Sequence, residues 1–235
     1  MIKTVAIHQP NFFPWLGYFD KIARSDTFIF LDNVQYPKTG GVWSNRVKML
    51  VAGEARWVTA PIIRTFHGLA QINEIEWADN QPWRVKLIKT LAANYSKAGY
   101  YREIMVWLEP LILMPEANLA RYNMAVIRAI AEKIGLRCEH CIVASSLSGR
   151  GQASELLIDL THKVNGDVYL SGGGAAGYQE DKAFTAAGLE LRCQSFVHPA
   201  YEQFGGCEFV PGLSIVDAMM NLGSQGVARL MRRNV

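Results

Sequence analysis

The sequence has few cysteines, a low charge content and no long apolar run, and each lack excludes a class of protein. Four cysteines in 235 residues are too few for a disulfide framework in a chain of this length. No apolar run approaches the roughly 20 residues that a membrane-spanning helix requires. Charged residues make up 19% of the chain and the net charge is only +3, which does not favour nucleic-acid binding. We therefore expect a globular protein without a membrane span or a nucleic-acid partner.

Metal and targeting motifs are also lacking. Cys138 and Cys141 form a C-x-x-C pair, but the stretch has the pattern of a strand, in which an offset of three places two side chains on opposite faces. Cys193 and Cys207 stand apart, so the partners for a tetrahedral zinc are missing and we interpret all four as packing cysteines. The first residues enter a strand pattern without the layout of a signal peptide, which favours a cytoplasmic location.

The order of the predicted elements indicates an α/β fold. Residues 4–7 form an apolar strand, an amphipathic helix covers about 15–24, and 28–31 form a short, fully apolar strand. Strand, helix and buried strand are the usual opening of a parallel sheet. The alternation returns late in the chain, where strands are predicted at 141–144, 168–170 and 189–196. Helices are predicted at 152–164 and 214–222, and a short one ends at residue 187.

The middle of the chain has a different pattern. Extended runs at 45–50 and 56–62 flank Ala52-Gly53-Glu54 and predict a β-hairpin, and 72–77 resembles a further strand. Three helices are predicted at 81–97, 101–113 and 119–134, the last ended by a glycine. We therefore expect a single α/β domain over residues 1–235, with a Rossmann-like parallel sheet, a β-hairpin insertion and a helical middle segment at about 80–135.

Polar or small residues stand where each predicted parallel strand ends. In an open parallel sheet, ligands bind outside the carboxyl ends of the strands, near the point where the strand order reverses. A sheet edge without a ligand would not require polar side chains at every exit. The sequence therefore predicts a composite cleft formed by His8-Gln9, Asp32-Asn33, Ser145-Ser146, Ser171-Gly172 and His198.

His8 is the leading catalytic candidate of this cleft. Imidazole titrates near neutrality and can act as a general acid, as a general base or as a hydrogen-bond donor to a phosphate. Pro10 and Pro14 stiffen the turn and fix the directions of its polar side chains. Gln9 and Asn11 are either turn formers or amides that bind substrate, and the alternative for His8 is a strand-end histidine bonded to a backbone carbonyl.

Two further catalytic candidates follow other strands. Asp32 can orient His8, hold a metal or cap the next turn, and these alternatives stay open at this point. The loop after it, residues 37–41, contains two glycines and is expected to close over a ligand. His198 opens a His-Pro stretch similar to the first turn, and we expect it to meet His8 across the cleft.

Three stretches are candidates for binding an anion. Trp43, Asn45, Arg46 and Lys48 combine an aromatic ring with two cations on one strand face, which suits a phosphate beside a base or sugar; a solvated hairpin is the alternative. Residues 171–177 contain G-x-G-x-x-G, but the next strand does not end in a carboxylate, so we reject a nicotinamide or flavin cofactor. Their backbone can still approach an anion closely. Residues 148–151 form either an anion loop around an arginine or a helix cap.

These motifs together resemble the WbqC-like family, over nearly the whole chain. The matching segments are 6–22 (AIHQPNFFPWLGYFDKI), 30–36 (FLDNVQY), 45–46 (NR), 169–172 (YLSG), 198–203 (HPAYEQ) and 213–217 (LSIVD). The resemblance implies a transferase of acyl, aminoacyl or glycine groups to an activated sugar or related metabolite in the biosynthesis of bacterial surface polysaccharide such as O-antigen. It also raises the interest of Ser214 and Asp217, which the sequence alone explains as a helix-capping box.

The sequence and the resemblance together give a provisional site. Its catalytic candidates are His8, Asp32 and His198, with His8 as general base and Asp32 orienting it. Phosphate would be held by Arg46 or by backbone amides near Ser171. The candidate substrate-binding residues are Gln9, Asn11, Tyr18, Gln35, Tyr36, Trp43, Asn45, Arg46, Ser171, Gly172, Tyr201 and Gln203.

We expect the substrate to be a small molecule that carries a phosphate or a nucleotide, and we assign no metal and no cofactor. One alternative is an ATP-dependent ligase or nucleotidyltransferase of the pantothenate-synthetase type, which opens with a similar strand, histidine turn and helix. The H-x-G-H spacing of that class is missing, because residue 11 is asparagine. The other alternative is a non-catalytic metabolite-binding protein of the same pathway.

Overall fold

The computed structural model describes residues 1–37, 42–64, 69–172, 178–205 and 208–232. Seven strands lie in these ranges: β1 (Thr4–His8), β2 (Thr27–Phe30), β3 (Arg46–Val51), β4 (Glu54–Thr59), β5 (Cys141–Val143), β6 (Val168–Ser171) and β7 (Glu190–Cys193). The helices there are α1 (Leu16–Ala23), α2 (Trp83–Tyr95), α3 (Tyr101–Ile112), α4 (Leu119–Lys133), α5 (Ser154–Lys163), α6 (Tyr178–Ala186) and α7 (Ile215–Arg232). The predicted mixed α/β architecture is confirmed.

Five strands form one parallel sheet in the order β5-β2-β1-β6-β7. From β1 the chain moves outward through β2 to β5, then returns to the other side of β1 for β6 and β7. The strand order therefore reverses between β1 and β6, where Thr4 pairs with Val168. This is the topological switch point at which open α/β sheets place their ligands.

Alternate side chains of a strand point to opposite sides of a sheet, and the strands β1, β2 and β6 are buried on both sides, whereas the edge strand β7 is largely exposed. Val5 and Ile7 of β1 pack with residues of α5 and α6, whereas Ala6 packs with α1, the helical middle and α7. Burial on both faces explains why β1 and β2 are continuous apolar runs rather than alternating ones. The predicted β-hairpin is also present, with Ala52 (φ 53°) and Gly53 (φ 78°) at its tip.

Three predicted elements differ in the structure. Residues 72–77 do not form a strand: Ile72–Glu74 is a 3-10 helix, in which the Glu74 carboxylate accepts a hydrogen bond from the Gln71 N–H at 2.7 Å. β7 ends at Cys193 rather than at residue 196. α7 extends to Arg232 instead of ending at residue 222, because the chain turns at Gly223 (φ 68°, ψ 169°) and resumes as helix.

Among the helices of the described ranges, none combines the length and apolarity needed to cross a membrane.

Candidate functional site at the sheet switch point

Two pockets adjoin at the carboxyl end of β1. The first has a volume of about 180 Å³ and lies between α1, the end of β6 and the segment after β7. The second has a volume of about 350 Å³ and is lined by His8, Asn11, Trp15, Trp43 and Gly212. His8 and Trp15 line both pockets. Two of the five predicted strand exits, at His8 and at Gly172, therefore line these pockets, and His8 is the histidine common to both.

The Trp15 indole is the wall common to the two pockets. Its ring stacks on His198 with centroids 5.5 Å apart and meets the edge of Phe196 at 5.3 Å. A β-carbon on Gly17 would stand 2.4 Å from the Trp15 ring, so only glycine leaves space for the indole there. This contact explains the Trp-Leu-Gly sequence at the start of α1.

His8 is held as a neutral imidazole whose Nε2 has no hydrogen-bond partner among the described residues. Its Nδ1 lies 3.1 Å from the carbonyl oxygen of Gln9. Since a carbonyl can only accept, Nδ1 carries the proton and Nε2 keeps its lone pair. Burial, with the nearby charge of Lys21, lowers the pKa of His8 to about 3. The Tyr18 hydroxyl also donates to the Gln9 carbonyl, at 3.0 Å, so the turn fixes the ring direction.

Lys21 of α1 is a buried cation. Its side chain is only 2% exposed, it lines the smaller pocket, and its ammonium donates to the Ile7 carbonyl at 2.9 Å. Burial lowers the pKa of Lys21 to about 8, so the side chain remains largely charged at neutral pH. Within the part of the chain that the structure describes, no carboxylate forms an ion pair with it.

The neighbouring carboxylate, Asp20, is turned to other partners. Its Oδ2 accepts from Gln194 Nε2 at 2.7 Å and from Arg24 at 3.5 Å. Gln194 also donates to the Gly17 carbonyl at 2.7 Å, which fixes the segment after β7 against α1. Lys21 is therefore left without a carboxylate partner among the described residues, at the lining of the smaller pocket. Sequence reasoning missed this residue; its signal was the i, i+3 spacing from Tyr18 on the helix that follows the His8 turn.

The structure does not bring Asp32 to His8, and the interpretation of Asp32 as its orienting group is corrected. Asp32 Oδ1 accepts from the Ser145 N–H at 2.9 Å, and Oδ2 accepts from the Ser145 hydroxyl at 2.7 Å and from Asn73 at 3.3 Å. Asp32 therefore fixes the exit of β5, and the Gln9 carbonyl orients His8 instead.

His198 reaches the cleft through Trp15, and no ring contact joins it to His8 among the described residues. Both of its ring nitrogens are buried without a hydrogen-bond partner in the described structure. Burial lowers the pKa of His198, which keeps the ring neutral. Its place is behind the indole, where it supports the wall of the site.

The hairpin places its cations on one face, as predicted. Arg46 lies 4.1 Å above the Trp57 ring and Lys48 lies 5.4 Å from it, while Trp43 meets the edge of the same ring at 4.9 Å. Trp43 is 42% exposed and lines the larger pocket. Asn45 instead donates inward to the Ala60 carbonyl at 3.0 Å. Of these four residues, Trp43 is the one that lines a pocket together with His8.

The remaining candidates after β2 and β6 separate into two groups. Gln35 is exposed and pairs with Gln71, and Tyr36 is fully buried, which raises the pKa of Tyr36 to about 12. Neither lines the two pockets. Gly172 lines the smaller pocket, and the buried Ser171 hydroxyl donates to a backbone carbonyl at 3.4 Å. The rest of the glycine run, 173–177, and most of the 37–41 loop lie outside the described residues.

Tyr201 and Gln203 bind Asp217 rather than line the pockets. The Tyr201 hydroxyl donates to Asp217 Oδ2 at 2.6 Å, Gln203 Nε2 donates to the same oxygen at 3.0 Å, and the Tyr95 hydroxyl donates to Oδ1 at 2.9 Å. Burial raises the pKa of Asp217 although these donors oppose the shift. The carboxylate therefore joins α2, the segment before α7 and α7 itself.

Ser214 is the helix cap that its position predicts. Its Oγ accepts from the Val216 N–H at 3.2 Å and donates to the Phe13 carbonyl at 2.7 Å. The capping box is incomplete, because the Ser214 N–H donates to Lys48 and Asp217 faces its tyrosines. Ser214 thereby ties the start of α7 to the turn that carries the site.

The neutral state of His8 predicts a loss of stability in acid. An unfolded histidine titrates near 6.5 and folded His8 near 3, so between these values the unfolded chain binds a proton that the folded protein excludes. The free energy of unfolding should therefore fall as the pH is lowered from 6.5 towards 3. Urea denaturation across this window measures the slope, and His8→Gln should flatten it. Equal slopes for the two proteins would contradict the assignment.

Fold and geometry together define an α/β protein with two adjoining pockets at the switch point of a parallel sheet. The chain belongs to the WbqC-like protein family, whose family profile matches residues 9–229. It is also 31% identical over 231 residues to an uncharacterized protein of Mycobacterium tuberculosis, covering 95% of this chain and 96% of the other. No solved structure matches the chain significantly.

In the described ranges, no group of three or more His, Cys, Asp or Glu side chains is placed to hold a metal ion.

Proposed function

We propose that the protein is a cytoplasmic transferase that moves an acyl, aminoacyl or glycyl group to an activated sugar or related metabolite of bacterial surface-polysaccharide biosynthesis. One observation carries the proposal: a neutral imidazole with a free Nε2 lines two adjoining pockets, and a buried ammonium without a carboxylate partner in the described structure lines one of them. A group transfer needs two ligands that meet at one base. The class of reaction is the one that the resemblance to the WbqC-like family implies.

The two pockets suit different ligands. Lys21 gives the smaller pocket a positive charge, which suits the carboxylate or phosphate of one substrate. The larger pocket offers the Trp43 ring and the Asn11 amide, a combination that suits the apolar face and the hydroxyl groups of a sugar. The donor's anionic group therefore binds beside Lys21, and the acceptor binds on the other side of Trp15.

His8 acts as the general base in this arrangement. As the acceptor amine or hydroxyl attacks the donor carbonyl carbon, Nε2 takes its proton, and the imidazolium then returns this proton to the leaving group. The Gln9 carbonyl keeps Nδ1 protonated and stabilises the imidazolium. In the transfer, the new bond to the acceptor replaces the donor's bond to its leaving group.

Donor binding partly offsets the low basicity of His8. Burial and the Lys21 charge hold the pKa of His8 at about 3, which is too low for an efficient base at neutral pH. An anion beside Lys21 offsets the second of these effects and raises the pKa of His8. The base is therefore strengthened only when the donor is in place, which limits reaction with the wrong partner.

The direct test combines candidate donors and acceptors and detects a product by mass spectrometry. Acylated thioesters and aminoacyl phosphates serve as donors, and nucleotide-linked amino sugars serve as acceptors. Calorimetry with ATP and Mg²⁺ is run in parallel: binding of ATP would favour the ligase or nucleotidyltransferase alternative. Ligand binding without any product across the panel would favour the metabolite-binding alternative.

Replacing Lys21 by methionine should weaken anion binding in the smaller pocket. A hydrogen bond to a charged group contributes about 1.5–3 kcal/mol, so affinity for inorganic pyrophosphate should fall roughly 10-fold or more. Isothermal titration calorimetry measures this loss. Lys163→Met, which removes a half-buried lysine paired with Asp159 on α5, is the matched control and should bind as the unmodified protein does. A similar loss in both variants would argue against a site at Lys21.

A further inference from the structure

Two cysteines meet at the entrance to β5, away from the lining of the two pockets. Cys141 Sγ lies 3.0 Å from Cys138 Sγ, and both are free thiols. The strand pattern predicted opposite faces for them, and this prediction is wrong because β5 begins only at Cys141. The residues before it form a turn, closed by a hydrogen bond of 3.0 Å from the Cys141 N–H to the Cys138 carbonyl.

The turn gives the pair the geometry that a disulfide requires. A β-turn keeps its first and fourth α-carbons within about 7 Å, and disulfides span α-carbon separations of about 4.4–6.8 Å. The sulfur atoms need to approach by only about 1 Å to reach bonding distance. The backbone therefore does not have to rearrange for the bond to form.

The two thiols differ in exposure and in charge environment. Cys138 is partly exposed, whereas Cys141 is 6% exposed. The hydrogen bond from the Cys141 thiol, with the Arg128 guanidinium nearby, lowers the pKa of Cys138. Arg128 is fixed in place by donating to the Cys141 carbonyl at 2.8 Å. An exposed sulfur whose thiolate is stabilised is the one that attacks first, and a shielded partner sulfur resolves the product.

We propose that Cys138 and Cys141 form a reversible dithiol–disulfide pair that reacts with low-molecular-weight disulfides. The Cys138 thiolate attacks one sulfur of the small disulfide, whose S–S bond breaks and releases one thiolate. Cys141 then loses its proton and attacks Cys138 of the mixed disulfide, releasing the second thiolate. The two cysteines are oxidised by two electrons, and the small disulfide is reduced to two thiols, which take up the two protons.

A bond at this place is expected to be easily reversed. It closes a loop of only four residues, so it removes little entropy from the unfolded chain and adds little stability. Disulfides with this property exchange readily with thiols rather than serve as permanent cross-links. The pair is therefore a redox-sensitive site, and its behaviour does not depend on the proposed transferase activity.

The test exposes the folded, full-length protein to glutathione disulfide and maps its cysteines by mass spectrometry after alkylation. We expect the peptide that contains Cys138 and Cys141 to be lighter by two hydrogens and to carry no glutathione. Dithiothreitol should restore both thiols. Cys193 is the internal control. It is exposed, and hydrogen bonds from Ser195 lower its pKa. It should therefore gain glutathione.

A Cys141→Ala variant separates the two steps. Without the resolving thiol, glutathione should stay on Cys138, and the species that has lost two hydrogens should disappear. The proposal is overturned if unmodified protein keeps glutathione on Cys138, or if both thiols remain alkylatable while Cys193 is fully modified. The mapping of unmodified protein decides this even where the variant does not fold.

Discussion

Replacing Asp217 by alanine is expected to lower the free energy of unfolding by roughly 3–5 kcal/mol. The carboxylate is fully buried and accepts hydrogen bonds from Tyr95, Tyr201 and Gln203. Alanine removes the acceptor of two tyrosine hydroxyls, that of Tyr95 buried and that of Tyr201 partly buried, and one of the two acceptors of the Gln203 amide. The Tyr95 hydroxyl also accepts from the Leu50 N–H at 3.2 Å, so the loss extends to β3. Urea denaturation monitored by circular dichroism measures the change.

Tyr201→Phe is the matched control for this prediction. It removes one donor and leaves Asp217 with its other two. The free energy of unfolding should therefore fall by only about 1 kcal/mol. The segment at 201–203 supports Phe209 and, through it, the His198 ring behind Trp15. If Asp217→Ala cost no more than Tyr201→Phe, the carboxylate would not be the centre of this network.

Replacing His8 by alanine is expected to reduce turnover of an identified substrate pair by roughly 10²–10⁴-fold, the range of general-base catalysis. The loss should fall on kcat, while KM for the donor changes little, since Lys21 still binds its anionic group. Steady-state kinetics with the product assay described above separates the two. Tyr18→Phe, which removes a second donor to the Gln9 carbonyl but keeps the imidazole, should have a much smaller effect.

The pH profile gives a second measure of His8. Since the donor raises the pKa of His8, kcat should fall with acid through a higher pKa than the value of about 3 in the empty protein. His140→Ala, which removes a histidine of the turn before β5, is the control for losing an imidazole elsewhere. Unchanged kcat in His8→Ala would exclude the general-base role, whatever happened to KM.

Much of the fold could be predicted from the sequence because its signals are local. A short, fully apolar run such as β2, which follows the amphipathic helix α1, indicates a strand buried on both faces. The parallel sheet then implies that the ends of the strands share one edge, and His8 and Gly172 do line one pocket there. The element at 72–77 could not be predicted in this way, since its strand-like pattern is overruled by the hydrogen bond between Gln71 and Glu74.

The partners of polar side chains could not be predicted from sequence. Asp32 follows a strand, as a catalytic carboxylate of an α/β sheet often does. Its two carboxylate oxygens nevertheless accept hydrogen bonds from Ser145, which lies more than one hundred positions later in the chain. Tyr201 and Gln203 carried the family resemblance, and their partner proved to be Asp217. Each of these outcomes depends on which segments fold against each other, a contact that no local pattern records.

The alternation of strands and helices, the stiff turn around His8 and the polar residues at strand ends can be inferred from the amino-acid order alone, because backbone preferences and apolar periodicity act over a few residues. The burial of Lys21, the position of Trp15 between the two pockets and the contact of Cys138 with Cys141 arise from the folded arrangement. Burial and contact depend on segments that come together only in the fold: Lys21 is buried where α1 packs on β1 and donates to the Ile7 carbonyl, and Cys138 meets Cys141 through the turn before β5.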